Sequence, residues 1–417
     1  MFSLYCDSRL DVTGQLRTKT YIVIRNNKGR LLRFTGLEAL CCDYTGDIAT
    51  IHYDEKKNYC RYVARSLNWI TKNRQVARLS DISSEHVISF LDAFRTSPKP
   101  GYHEVFRGEE TIKACIKAVS HFFCNLSLLD SFSKIIVNDL LEDGWVLTGD
   151  NEYYNYRKKV FLPKYKKPAI CCPKRMLIRD ITPPVMEILL QQAAFYDPLL
   201  YYGISYQILS GIRPGELLCM RQPTSPLSIV PGVSFQMAGD KIITGTIDLT
   251  REFCLRSDEI PTGRIKRERK VVIFPGFLND FYKIYQQHMA YLSREKRIEA
   301  DYLPMFISQN GKAMTYATYC HRFQQLIVKH VVPLLLASED PVLQASGLAF
   351  QQSPPAPHAL RHFYTCRLVL EGLDVAQIQF YRGDRDPKSA IVYMQNKSLL
   401  EKEMKHIHEL VITGLRS

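Results

Sequence analysis

The stretch Pro357-His358-Ala359-Leu360-Arg361-His362 sets two imidazoles and a guanidinium within six positions. Pro357 suits the entry to a helix, where its missing N–H is not needed. On that helix His358 and Arg361, three apart, share a face. An imidazole that moves a proton beside a guanidinium that forks two oxygens suits chemistry at a phosphate. Arg213, in Ser210-Gly-Ile-Arg213-Pro-Gly-Glu216-Leu217, stands at a Gly/Pro turn that opens a helix, and helix starts favour anions. Glu216, three residues on, is spaced to orient that guanidinium. In Pro261-Thr-Gly-Arg264-Ile-Lys266-Arg267-Glu-Arg269-Lys270, Thr262-Gly263 reads as a turn ahead of a VVIF strand, which predicts a basic hairpin tip able to enter a groove. In Arg382-Gly-Asp384-Arg-Asp-Pro a Gly/Asp/Pro-rich turn precedes a short helix bearing Tyr393. Singly, each cluster has a plainer reading: a surface ion pair, a solvated basic face, or one tyrosine among 24.

The elements that must position these groups show in the periodicities. Residues 1–55 read as β-rich, with TYIVIRN and RLLRFTG flanking an Asn-Asn-Lys-Gly hairpin signal; their role is not readable. Residues 56–150 carry apolar residues at three- and four-residue spacing over NYCRYVARSLNWITKN, SEHVISFLDAFRTS and EETIKACIKAVSHFFCNLS, the pattern of a small helical domain. Asp81 and Ser84 are candidate caps for the second of these helices. Residues 151–180 hold nine Lys/Arg against two acids, broken by prolines 163, 168 and 173, and read as a basic linker. Its Arg157, Lys158, Lys159, Lys164, Lys166 and Lys167, interleaved with tyrosines, suit a phosphate backbone; a solvated connector is the alternative. Residues 181–417 form a second, larger unit: helices broken near Asp197-Pro198, alternating runs at KIITGTIDL and RKVVIFPG, then helices to the end. The fold class expected is mainly α with a small β-sheet, an α+β chain.

Composition narrows the partners. A net charge of +13 and a pI near 9.1 favour a polyanion, nucleic acid before anionic membrane. The longest apolar runs, such as 331–337, fall short of a membrane span. Twelve cysteines without CxxC or zinc spacing read as reduced hydrophobes of a cytosolic protein, so no metal is expected.

In their order along the chain, the four clusters resemble the tyrosine recombinase (phage integrase) family. SGIRPGEL looks like the family's first arginine box, and HALRHFYTCRLVLEGLDVAQIQFYRGDRDPKSAIVYMQ like its second. Asp384 falls 23 residues after Arg361 and Tyr393 falls nine after Asp384, where the family places its turn histidine and its nucleophile. The stretch MFISQNGKAMTYATYCHRFQQL is similar to what precedes the second box, so the resemblance covers roughly 181–394. It implies a catalytic domain at 181–417, ending in a helix suited to docking on a neighbouring protomer or on its own domain. It also implies that 56–150 is a core-binding domain. The activity implied is site-specific recombination through a 3′-phosphotyrosyl link, with no cofactor. Tyr393 is the nucleophile, Arg213 and Arg361 the phosphate clamp, His358 a proton mover, Lys266 the acid for the leaving oxygen, and Glu216 and His362 supports. Partners implied are double-stranded DNA sites, four protomers on two sites, and optionally an accessory DNA-bending protein; the setting is the bacterial cytoplasm, on a mobile element.

Two departures qualify this. The turn histidine is replaced by Asp384, which when ionised cannot donate and repels phosphate; Arg382 or Arg385 could supply the missing donor. The family's hairpin lysine aligns with Arg264, and Lys266 is preferred because arginine does not release its proton. Three alternatives remain open at this point: a DNA-binding relic that no longer cleaves, a type IB topoisomerase-like enzyme, and a plain cytosolic basic protein that shares these motifs by chance.

Overall fold

The structure, a computed structural model, describes residues 1–10, 16–46, 57–98, 106–129, 133–148, 156–167, 181–228, 230, 232–294 and 302–384. Tyr393, Arg385, the expected C-terminal helix and Cys171–Cys172 lie outside the described residues. The chain divides into two compact units, Met1–Ser8 with Thr18–Leu177, and Arg9–Arg17 with Ile178–Ser417. The fold class is α+β, mostly helical with small sheets.

β1 (Phe2–Leu10), β2 (Leu16–Arg25) and β3 (Leu31–Phe34) form one sheet in that order, in the first unit except for residues 9–10 and 16–17. β2 and β3 run antiparallel with Arg25 opposite Leu31, as the Asn-Asn-Lys-Gly turn predicts. Three helices follow: α1 (Lys57–Asn73), α2 (Ser84–Thr96) and α3 (Glu109–Leu129), with the short α4 (Val137–Leu140). The cap of α2 is Ser83 rather than Ser84 or Asp81; its hydroxyl accepts from the His86 amide, and the His86 ring accepts from the Ser83 amide. α3 has the length and apolarity of a membrane span, yet 61% of its most apolar window is buried inside the protein.

The β-rich start, expected as a segment of its own, shares a core with these helices. Ile22, Leu40 and Cys41 pack with Leu67, Phe90, Phe122 and Phe123. Polar bonds weld the same seam. Asn68 on α1 bonds both the amide and the carbonyl of Phe2, and Asn125 on α3 donates to the carbonyls of Leu40 and Cys42. Satisfying buried backbone groups in this way fixes the strands to the helices.

β4 (Leu141–Thr148) and β5 (Tyr156–Pro163) form a regular antiparallel hairpin, Leu141 opposite Pro163 and Thr148 opposite Tyr156. Residues 156–163 were expected inside a linker; pairing with β4 and the contact of Phe161 with Tyr44, at 4.9 Å between ring centres, make them a strand instead.

The second unit opens with α5 (Pro183–Tyr196) and α6 (Pro198–Ser210), parted at Asp197-Pro198 as expected. Asp197 caps α6 by accepting from the Leu200 amide. After the single turn α7 (Pro214–Leu217) come β6 (Val233–Ala238), β7 (Lys241–Leu249) and β8 (Arg269–Val272), an antiparallel sheet in that order. Then follow α8 (Leu278–Arg294), α9 (Tyr316–Leu326), a π-helical turn at Ile327–Val331, α10 (Val332–Leu336), α11 (Pro341–Gln352), α12 (His358–Leu370) and α13 (Val375–Arg382). One large core, including Ile204, Tyr206, Phe281, Tyr319, Phe323, Leu360 and Tyr364, joins these helices to one face of the sheet.

Candidate active site

Three turns and one strand meet in the second unit to build a cluster of arginines. The first turn follows from the sequence SGIRPGEL. Gly211 ends α6 at φ 65°, a left-handed conformation that glycine adopts without a Cβ penalty. A Cβ there would run into the Tyr364 ring, so α6 and α12 close tightly at this point. Pro214 then opens α7, and the Glu216 carboxylate closes it by accepting from the Arg213 amide at 3.0 Å. The same carboxylate takes Nη1 of Arg213 at 2.9 Å. Glu216 thus holds Arg213 by its backbone and by its side chain. α7 is only one turn long, so its dipole adds little and the anion-holding capacity rests on side chains.

Arg361 comes from the first turn of α12 and is 1% exposed. Its Nη1 donates to the Gly211 carbonyl and its Nη2 to the Arg382 carbonyl at 2.8 Å, so it ties α6, α12 and α13 together. α13 ends at Gly383, again left-handed at φ 65°, and the Asp384 amide returns to the Gln379 carbonyl. Asp384 is thereby aimed at the arginines. Its Oδ1 accepts from Nη2 of Arg213 and from Nη2 of Arg361, each at 2.7 Å. Its Oδ2 lies 3.0 Å from Nε of Arg382, an ion pair not aligned as a hydrogen bond.

The fourth arginine is one that the sequence offered only as a base of the expected hairpin tip. Arg269, at the start of β8, forks the Glu216 carboxylate from the far side, Nη1 to Oε1 at 2.9 Å and Nη2 to Oε2 at 3.0 Å. Its side chain packs against Gly383, where a Cβ would collide with Nε. The strand's alternation could have found it: Arg269 shares a face with the buried Val271 and Ile273, and an inward arginine needs a buried anion. Arg382 has a similar signal, one helical turn beyond the buried Ile378.

The electrostatics follow from this count of four guanidinium groups against two carboxylates. Burial pushes the Glu216 carboxyl upward, but the bonds and charge of Arg269 and then of Arg213 hold it below the usual range. Asp384 is likewise pushed up by burial and held low by Arg361, Arg382 and Arg213. Both are carboxylates at neutral pH. Arg361 is brought down to about 10 by burial and then by Arg213, still charged at pH 7. His358 is exposed, yet the surrounding protein and then the charges of Arg361, Arg213 and Arg382 push its pKa below 6.5, against the pull of Asp384. His362 stacks edge-on against it, ring centres 5.1 Å apart, and is brought to about 4 by burial and by His358. An imidazole with a lowered pKa is thus placed beside the arginine cluster.

The expected hairpin tip is different in form. β7 and β8 are joined by residues 250–268, too long for a tight turn. Thr262 is buried, its carbonyl accepts from the Tyr316 amide at 2.6 Å, and the Arg264 amide donates to the Gly215 carbonyl at 3.2 Å. Gly263 and Gly215 allow this approach, since a Cβ on Gly263 would strike the Gly215 carbonyl. The segment 262–264 is therefore pinned beside α7, with Arg264 exposed on it and Lys266 exposed two residues beyond it. The bases of this stretch that reach the cluster are Arg269 and Arg267, whose Nη1 lies 3.4 Å from the Gly383 carbonyl.

The expected DNA-tracking lysines lie in the first unit on or after β5. Lys159 pairs with Asp143 at 2.8 Å, Lys166 with Glu142 at 2.5 Å and Lys167 with Asp92 at 3.1 Å, while Lys164 donates to the Asn138 carbonyl. Arg157 and Lys158 are on β5 opposite Leu147 and Val146. These ion pairs are exposed, worth about 0–1 kcal/mol each, so a phosphate can replace the carboxylate at little cost.

A wider hollow of about 780 Å³ in the second unit is lined by Tyr196, Asp197, Arg322, Lys329 and His330 among others, and none of the four motifs lines it. Arg322 there already forks Asp197. Among the described residues no group of His, Cys, Asp and Glu is placed to hold a metal ion, and ten cysteines are free thiols.

No family model matches the sequence, and no curated protein matches it. Solved structures do. The chain is similar to the XerH site-specific recombinase bound to a palindromic difH substrate, at 14% identity over 84% of this chain and 79% of that one, TM-score 0.48. It is similar to the Tn1549 transposon integrase in complex with transposon right end DNA, at 15% identity over 84% and 93%, TM-score 0.45. It is similar to a lambda integrase dimer bound to a core site, at 14% identity over 81% and 89%, TM-score 0.46. Each is by name a recombinase or an integrase.

Proposed function

We propose that the chain is a DNA strand transferase of the tyrosine recombinase type. The observation that carries this reading is the convergence of Arg213 and Arg361, 148 positions apart in sequence, on one carboxylate oxygen at 2.7 Å each. Two guanidinium groups that hold one oxygen of a carboxylate are arranged to hold a non-bridging oxygen of a phosphodiester. The Tyr393 oxygen attacks phosphorus, the bond to the 5′-oxygen breaks, and a 3′-phosphotyrosyl link forms. Arg213 and Arg361 stabilise the charge gathered on the non-bridging oxygens, the kind of term that usually dominates phosphoryl transfer. Neutral His358 accepts the proton that the tyrosine hydroxyl gives up. Lys266, two residues past the segment pinned beside α7, protonates the leaving 5′-oxygen, with Arg264 as the neighbouring phosphate ligand. The link conserves the bond energy, so a 5′-hydroxyl from a second duplex reverses the step and strands are exchanged. Double-stranded recombination sites are the substrates, a set of four protomers on two sites is the working assembly, and an accessory DNA-bending protein is optional to it. Residues 56–167 contribute DNA binding through Lys159, Lys164, Lys166 and Lys167.

Asp384 favours a second reading, a DNA-binding relative that no longer cleaves, because a carboxylate sits where the phosphate is needed. A nicked suicide duplex carrying the element's end sequence separates the two. A covalent protein–DNA adduct on a denaturing gel, absent in Tyr393→Phe, is the expected result. Tight, salt-sensitive binding without any adduct would establish the second reading.

A further inference from the structure

The clamp is already filled. Asp384 gives Oδ1 to both Arg213 and Arg361 and faces Arg382 with Oδ2, the same two-oxygen edge that a phosphate offers. We propose, resting on the reading that this clamp serves a scissile phosphate, that Asp384 is an internal competitor which occupies the phosphate position until DNA displaces it.

The two carboxylates of the cluster differ in a way that supports this. Glu216 is fully buried and closes the α7 turn through the Arg213 amide, so it cannot leave without unmaking the turn. Asp384 is 14% exposed and stands one residue past the left-handed Gly383 cap. Its backbone is held by the Gln379 carbonyl, so its carboxylate withdraws by rotation about one bond while the cap stays in place. With Asp384 seated, four guanidinium groups still outnumber two carboxylates, which draws an external anion in. With Asp384 withdrawn the excess rises by one and two charge-assisted donors are released. A phosphate held on a DNA strand at high local concentration wins this exchange; a free phosphate in solution at low concentration does not.

The test is made on the full chain with inorganic phosphate, by titration calorimetry at low salt, comparing wild type with Asp384→Asn and Asp384→His. The expected result is phosphate binding tighter by about tenfold or more in both, from the freed donors. Adding Arg213→Gln to Asp384→Asn should abolish the gain. Unchanged or weaker phosphate binding in folded variants overturns the proposal. So does failure of both variants to fold, since a group that must withdraw is not indispensable to the fold. The suicide-duplex gel is run on the same proteins with Tyr393 intact. Tighter phosphate binding with no adduct from any variant sinks the strand-transfer reading and leaves the competitor standing. Adducts in wild type and variants at equal rates, with phosphate affinity unchanged, do the reverse.

Discussion

Glu216→Gln is a sharp probe of the arginine cluster because it changes charge and almost nothing else in size. Four donors enter the carboxylate: the Arg213 amide at 3.0 Å, Arg213 Nη1 at 2.9 Å, and the two Arg269 amines at 2.9 and 3.0 Å. Glutamine keeps one acceptor oxygen and turns the other position into a donor facing donors, so two of the four bonds disappear. Hydrogen bonds to charged groups are worth about 1.5–3 kcal/mol each. Arg213 and Arg269 are 19% and 11% exposed, so water relieves part of the loss. A cost of about 3 kcal/mol follows, at the low end of breaking a buried pair. For a unit of this size that lowers the melting temperature by roughly 6–12 °C. The pH dependence has a fixed sign. The folded pKa of Glu216 lies below its ordinary value, so its stabilisation is complete above the unfolded carboxylate pKa of about 4.3 and fades as pH falls through the folded value. Thermal unfolding of both proteins at pH 7.5 and again near pH 3.5 tests this. A difference of under about 1 kcal/mol at pH 7.5, or one that persists undiminished in acid, would refute the placement of Glu216 as the charge between two arginines.

Four further outcomes are expected. Arg361→Ala leaves the Gly211 and Arg382 carbonyls without their guanidinium donor and should cut adduct formation by about a hundredfold or more in the gel assay. Gly211→Ala places a Cβ in a left-handed residue against the Tyr364 ring and should cost about 2–3 kcal/mol in urea unfolding, where a loss below about 0.5 kcal/mol would contradict the close approach. Because His358 has its pKa pushed below 6.5, cleavage should be flat between pH 7 and 8 and fall as acid protonates the ring. His358→Asn should abolish that dependence. Replacing Lys159, Lys166 and Lys167 with alanine should weaken DNA binding and make log affinity fall less steeply with log salt, by ~0.9 in slope for each phosphate that is no longer neutralised, measured by fluorescence anisotropy.

The sequence spoke most clearly where partners are close along the chain. Arg213 and Glu216 sit three apart, so their pairing follows from helical spacing alone. The helices α1 to α3, α5, α6 and α8 follow from apolar periodicity, and the break between α5 and α6 from Asp197-Pro198. What the spacing could not supply was the far side of each pairing. Arg269 finds Glu216 across 53 residues, and Arg361 finds the Asp384 carboxylate across 23. The basic run 264–270 read as a hairpin tip because turn chemistry at Thr262-Gly263 is local. Its burial against Gly215 depends on two glycines 48 residues apart, which no local pattern links. The strand at Tyr156–Pro163 was hidden for a related reason: its lysines and prolines look like a connector until β4 is there to pair with it.

The Arg213–Asp384 ion pair joins residues 171 positions apart. During synthesis at about 5–20 residues per second, roughly nine to thirty-four seconds pass between the making of one partner and the making of the other. Through that interval a nascent chain already carries the first unit and Arg213, but not the buried Arg361 that ties α6 to α13. A chain stalled or cut before α12 therefore keeps the exposed lysines of the first unit but lacks the pair of guanidinium groups that meets at Asp384. On the proposed function, truncated products of this gene would block the full-length protein's DNA sites and not act as weak versions of it.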